Sequence, residues 1–162
     1  MTTAEPLLVD TNVLLEATDD LRQHHKDART LVESIGPLVL SAQVIREYLA
    51  VATRPVTANG LGMSTADALE NVRQFRTLIR LLPEEKPILP TFLKLIETVP
   101  CMGKRMHDAH LVATAMAHRI RTIVSLNGED LAPFASEVAL LTPSQALRHP
   151  GSKRSKGIPH DS

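Results

Sequence analysis

Cysteine and large aromatics are nearly missing from this sequence. A single cysteine, Cys101, leaves no partner for an intramolecular disulfide and too few thiolates for a cysteine-rich zinc site. A reducing, cytoplasmic setting is the simplest expectation. One Tyr, three Phe and no Trp mean that the core has to be built from Leu, Val, Ile and Ala. The same scarcity argues against binding of single-stranded nucleic acid on a platform of stacking rings. Net charge is missing as well: 18 basic side chains offset 18 acidic ones, so any surface that meets a polyanion has to be local. Long apolar runs are absent too, with no stretch approaching the roughly 18 residues of a membrane span. The N-terminal MTTAEPLLVDTNVLL lacks a basic leader and is broken by Asp10 and Asn12, which reads as neither signal peptide nor anchor. What remains is the composition of a soluble globular chain of 162 residues, about the size of one domain.

Short β-rich runs alternate with longer helical patterns along the chain. Leu7-Leu8-Val9 is continuously apolar and ends in Asp10, the mark of a strand buried on both faces. Leu38 to Leu40, Ile79 to Leu82, Thr122 to Leu126 and Val138 to Leu141 read as four more strands. Helical spacing of apolar residues recurs from His24 to Ile35, from Ser41 to Ala52 with Ser41 as N-cap, and from Ser64 through Phe75. It recurs again after Pro90 and from Asp108 to Arg119. Strands alternating with helices predict an α/β fold, a mostly parallel sheet covered on both sides. Sites in such sheets lie outside the carboxyl ends of the strands, where Asp10 and Asp130 fall. Residues 1–147 read as one domain. Residues 148–162 read as a polar, basic tail without the composition of a core, whose Lys153, Arg154 and Lys156 offer either salt-sensitive RNA affinity or simple solubility.

Four acids stand out, each with an ordinary alternative. Asp10 and Asp108 are placed to cap helices, Asp130 to begin a short one, and Glu47 to be an exposed mid-helix acid beside Arg46. Together they point to something else. Two acids at strand ends and two on flanking helices converge on one crevice, where like charges raise one another's pKa unless a cation intervenes. An all-oxygen cluster suits Mg²⁺ or Mn²⁺, and such ions serve phosphodiester hydrolysis, singly or in pairs.

These residues resemble the PIN domain, and within it the VapC-type toxins of bacterial toxin–antitoxin pairs. The resemblance runs from Leu7 to about Leu147 and rests on four segments: LLVDTNVLL, LSAQVIREYLAV, GKRMHDAHLVATAMAH and TIVSLNGEDLAPF. Two departures are visible, Ser125 in place of Thr and Leu131 in place of Phe. The resemblance implies a parallel sheet of order 3-2-1-4-5 and Mg²⁺- or Mn²⁺-dependent RNA cleavage. It also implies a homodimer and inhibition by a small cognate antitoxin that inserts a segment into the active-site groove; no membrane association is expected from the apolar runs themselves. Asp10, Asp108, Glu47 and Asp130 become the expected catalytic and metal-binding residues, Asp130 with the most open role. Thr11, Ser41, Ser125 and Asn127 become candidates to hydrogen-bond those carboxylates or touch substrate phosphate, against the alternative of local turn and cap bonding. Lys104 and Arg105 are candidates for an RNA-facing rim, and Arg54 a weaker one. His107 and His110 flank Asp108, but their spacing is not that of a helical zinc motif.

Rival classes are a PIN-like binding module without catalysis, a housekeeping RNA-processing nuclease, an aspartate-nucleophile phosphatase and a phosphoacceptor receiver domain. Asn12 stands where the phosphatase needs its second acid. The third strand ends in Leu82-Pro83, where the receiver needs its Asp.

Overall fold

The computed structural model describes residues 4–84 and 87–149. The tail expected from residue 148 onward lies, from 150, outside the described residues. Five strands form one parallel sheet: β1 (Leu7–Val9), β2 (Leu38–Leu40), β3 (Arg80–Leu81), β4 (Thr122–Val124) and β5 (Ala139–Leu141), in the order β3-β2-β1-β4-β5. The 3-2-1-4-5 order is the one expected. β1 lies at the centre, registered Leu8 to Val39 on one side and Leu8 to Ile123 on the other. All three residues of β1 and of β2 are buried, as a sheet covered on both faces requires.

Among the described residues eight α-helices surround the sheet: α1 (Thr11–Thr18), α2 (His25–Ser34), α3 (Ala42–Thr53), α4 (Thr65–Leu78), α5 (Ile88–Thr98), α6 (Arg105–Ala117), α7 (Gly128–Leu131) and α8 (Pro143–Leu147). None is long and apolar enough to cross a membrane. The core is aliphatic, as the scarcity of rings demands, with Leu8, Leu14, Leu31, Leu40, Ile123 and Leu131 almost fully enclosed. Leu131, the substituted position of the last motif, is one of these and serves packing.

Tyr48 brings a ring and a hydroxyl into this core. Its ring meets the edge of Phe75 at 5.4 Å. Its hydroxyl lies 2.9 Å from Thr18 Oγ1 and accepts from Asn71 Nδ2 at 3.0 Å, so α1, α3 and α4 share one polar knot inside an apolar core. Removing the hydroxyl takes the oxygen acceptor from Asn71 Nδ2, while Thr18 keeps its bond to the Leu14 carbonyl. Tyr48→Phe is expected to cost about 1–3 kcal/mol in urea unfolding with an unchanged m-value.

The chain winds outward from β1 through β2 to β3, then returns to lay β4 against the other side of β1. That reversal places a crevice outside the carboxyl ends of β1 and β4, the topological switch point of an open parallel sheet. The backbone N–H of Asp10 donates to the carbonyl of Val124 at 3.0 Å, which fixes the two strand ends side by side.

Candidate active site

Asp10 leaves β1 as the residue before α1, with extended backbone (φ −78°, ψ 157°). An ordinary N-cap accepts from the second or third helical N–H. Asp10 Oδ1 instead accepts from the adjacent Thr11 N–H at 2.7 Å. Its other oxygen, Oδ2, accepts from the Ser125 hydroxyl at 2.8 Å and from Asn12 Nδ2 at 3.2 Å. The carboxylate is thus turned across the switch point toward β4. It is only 7% exposed, and all of these partners are neutral. Burial is the main cause that lifts its pKa to about 6; Asp108 and Glu47 raise it further, against the lowering effect of the Ser125 and Thr11 hydrogen bonds.

Glu47 comes from the middle of α3. Its Oε2 accepts from the Thr11 hydroxyl at 3.0 Å and its Oε1 from Gln43 Nε2 at 2.8 Å, so both oxygens are held. The exposed ring of His107 approaches Oε1 at 3.9 Å. Asp108 lies in the first turn of α6, but that helix begins at Arg105, three residues earlier than its apolar pattern suggested. Asp108 is therefore inside the helix rather than at its cap, although still in the first turn, where an acid favours the helix dipole. Its pKa is raised, first by burial and then by Asp130 and Glu47, against the opposing charges of His107 and Arg105. Asp130 lies within α7, which starts two residues before it, and faces Asp108 closely enough to act on it electrostatically. Asp10 feels Asp108 and Glu47, and Asp108 feels Glu47 and Asp130. The four acids of the sequence reading thus form one electrostatic group.

The supporting hydroxyls divide. Thr11 and Ser125 each donate to a carboxylate of the group, Thr11 to Glu47 and Ser125 to Asp10. Ser41 does not join them. Its hydroxyl accepts from the Val44 N–H at 3.2 Å, because it is the N-cap of α3 and that bond occupies it. The Asn127 side chain holds neither Asp10 nor a helix cap; only its backbone N–H contributes, donating to Ser125 Oγ at 3.0 Å. The residue that does the holding is Asn12. Its Nδ2 reaches Asp10 Oδ2 and Ser125 Oγ, and its Oδ1 accepts from the Leu126 N–H at 3.0 Å. The signal was present in Asp-Thr-Asn, but spacing alone does not say that Asn12 reaches the end of β4. Gln43 is a second residue the sequence reading passed over, holding Glu47 from one helical turn away.

Lys104 and Arg105 are exposed at the start of α6, and Arg105 lies near enough to Asp108 to lower its pKa. Arg54 ends α3, and its carbonyl accepts from the Gly62 N–H at 2.8 Å in the following loop. His110 is half-buried, its Nδ1 hydrogen-bonded to Gln43 Oε1.

No three His, Cys, Asp or Glu side chains close into a finished metal cage among the described residues. The donor chemistry nevertheless fits a hard divalent cation. A buried carboxylate with only neutral partners, raised by two neighbouring acids, has an unmet demand for positive charge, and the four acids offer it carboxylate oxygens.

The PIN domain model matches residues 7–135. Ribonuclease VapC48 of Mycobacterium tuberculosis is 35% identical over 122 residues, spanning 72% of this chain and 83% of the relative. Among solved structures, DNA-bound VapBC from Salmonella typhimurium superposes with a TM-score of 0.63 at 12% identity, covering 86% of this chain and 99% of that one. FitAcB from Neisseria gonorrhoeae gives a TM-score of 0.60 at 21% identity, covering 85% and 98%. At these identities the two structures speak to the fold.

Proposed function

The chain belongs to the PIN domain family, and on that premise we propose that it is a metal-dependent endoribonuclease, the toxin of a toxin–antitoxin pair. The observation that carries this reading is the electrostatic group of Asp10, Glu47, Asp108 and Asp130 at the switch point, in a chain 35% identical to a ribonuclease. Asp10 and Asp108, with Glu47 and Asp130, would hold Mg²⁺ or Mn²⁺. Such an ion would supply Lewis-acid polarisation of water and of a phosphate oxygen.

The chain's own part is to hold these oxygens ready. Ser125 pins Asp10 from the end of β4 and Asn12 from α1, while Thr11 and Gln43 pin Glu47 from α1 and α3. Carboxylates fixed this way need little rearrangement to act, which is how a site avoids the cost of ordering at the moment of reaction. Lys104 and Arg105 border the acids on α6 and would meet phosphates of the incoming strand, compensating locally for a chain with no net charge. Cytoplasmic residence, a homodimer and an antitoxin that enters the groove belong to the same reading.

Purified protein incubated with total cellular RNA is expected to cleave it in Mg²⁺ or Mn²⁺, to stop in EDTA, and to stop with Asp10→Ala. Cleavage that persists in EDTA would overturn the mechanism. Expression alone is expected to arrest growth, and co-expression of the small gene beside it to relieve the arrest. A housekeeping nuclease would show cleavage with neither effect.

A further inference from the structure

Beside the acid group lies a second concavity that the proposed chemistry does not use. It encloses about 230 Å³ between the start of α3, the middle of α6 and the end of β3. Gln43 and Arg46 line it from α3, His110 and Thr114 from one face of α6, and Leu82 and Ile88 supply an aliphatic wall. We propose that this pocket is a nucleotide subsite, which takes the ribonucleotide next to the scissile phosphodiester; the proposal rests on the nuclease reading above.

Gln43 is the partition between the two sites. It is only 5% exposed, and its amide is split between them. The nitrogen donates to Glu47 Oε1 at 2.8 Å and to the His107 carbonyl at 2.9 Å, on the acid side. The oxygen accepts from His110 Nδ1, on the pocket side. An occupant of the pocket therefore sits one side chain, that of Gln43, away from Glu47.

The pocket's donors suit that occupant. Arg46 follows Gln43 by three residues on α3 and makes no hydrogen bond or ion pair among the described residues, so its planar donors are available to a phosphate. Its charge lies close enough to His110 to act on that ring. His110 is fixed in orientation by Gln43 and by Phe92, whose ring it meets edge-on at 5.5 Å. The Nδ1 bond to Gln43 leaves Nε2 with no hydrogen-bond partner among the described residues. Leu82 and Ile88 supply aliphatic contact for a base. In a chain this poor in aromatics, a base has to be held by aliphatic contact and edge hydrogen bonds rather than by stacking. The volume falls short of the roughly 300–1,000 Å³ of drug-sized pockets. That suits one base, with its sugar and phosphate at the mouth. Glu84 on the rim adds an acceptor that favours a base with an exocyclic amine.

The test titrates each of the four ribonucleoside 5′-monophosphates, and inorganic phosphate, into metal-free protein followed by amide NMR. At least one nucleotide is expected to shift Gln43, Arg46, His110 and Thr114, and to bind at least about tenfold more tightly than phosphate. Arg46→Ala is expected to weaken that binding about tenfold, and Arg46→Lys less. In cleavage assays with metal, Arg46→Ala is expected to raise KM about tenfold while kcat changes by less than about threefold. Phosphate binding as tightly as any nucleotide, shifts confined to the acid group, or Arg46→Ala leaving affinity unchanged would each overturn the subsite. Because binding is read without metal, the two readings fail separately. Nucleotide binding in a protein that cleaves no RNA removes the nuclease and keeps the pocket, and cleavage without pocket binding does the reverse.

Discussion

Asp10→Asn protein is expected to lose metal-dependent cleavage by more than about 100-fold and, without metal, to melt at a higher temperature than the wild type. The first effect follows because even outer partners of metal ligands are worth 10–100-fold in affinity or activity, and Asp10 is the proposed ligand itself. The second follows from its burial. The folded pKa is about 6, above the ordinary 3.8, so between those values the folded state holds more protons than the unfolded. Stability therefore falls as pH rises from about 4 to 6, and above 6 the whole cost of the charge, about 3 kcal/mol at most, is in place. Asparagine removes that charge and keeps its oxygen for the Thr11 N–H, while its amide nitrogen, in the place of Oδ2, turns a donor toward Ser125 Oγ. It loses the bond from Asn12, so the net gain at pH 7.5 in EDTA is about 1–2 kcal/mol, or roughly 2–8 °C in Tm. At pH 4, where Asp10 in the fold is already protonated, that gain is expected to vanish, leaving the variant no more stable than the wild type. Thermal melts at both pH values check this, and a variant no more stable at pH 7.5 would mean that Asp10 is not held at a cost.

Legibility in the sequence followed the range of the forces involved. The inner strands were readable because a strand buried on both faces must be continuously apolar, and Leu7-Leu8-Val9 and Leu38-Val39-Leu40 are, whereas the edge strands β3 and β5 are partly exposed. The start of α6 was not. Arg105, Met106 and His107 carry no apolar periodicity, and its first residue follows Lys104, which makes no side-chain cap bond. Of the polar signals, Ser64 and Ser41 do accept the N–H bonds of an N-cap. At Ser64 the acid three residues on is Asp67, for which no return bond closes the box. Thr142 and Gln145 make a complete capping box that the sequence reading passed over, in a helix of only five residues.

The acids were legible as a group because charge and strand-end position leave traces in sequence. Their supports were not, since a hydrogen bond between residues 113 or 115 apart depends on which strands become neighbours. Ser41 and Ser125 look alike in sequence, each a hydroxyl directly after a strand. One caps its own helix and the other reaches the neighbouring strand's carboxylate. The difference lies in topology: Ser125 leaves the strand beside β1 at the reversal of strand order, and Ser41 leaves one on the other side.

Asn12 shows what that placement is worth, and Asn12→Ala is expected to weaken Mn²⁺ binding by about 10–100-fold. The side chain makes three bonds that join the ends of β1 and β4: to Asp10 Oδ2, to Ser125 Oγ and from the Leu126 N–H. Without them the Asp10 carboxylate keeps only Thr11 and a less constrained Ser125, and the Leu126 N–H loses its acceptor. The expected stability loss is about 1–3 kcal/mol, smaller in effect than the loss of metal affinity. Asn12→Asp separates the two roles. It preserves an acceptor for Leu126 but removes the donor toward Asp10 and sets a like charge beside it. In EDTA at pH 7.5 it is expected to be less stable than Asn12→Ala, and near pH 4, where carboxylates take up protons, the difference is expected to shrink. Mn²⁺ titrations followed by electron paramagnetic resonance, with urea unfolding of the same proteins, measure both effects. An Asn12→Ala protein that binds Mn²⁺ as tightly as the wild type would show that Asp10 needs no clamp from Asn12, the Thr11 N–H and the Ser125 hydroxyl being enough to orient it.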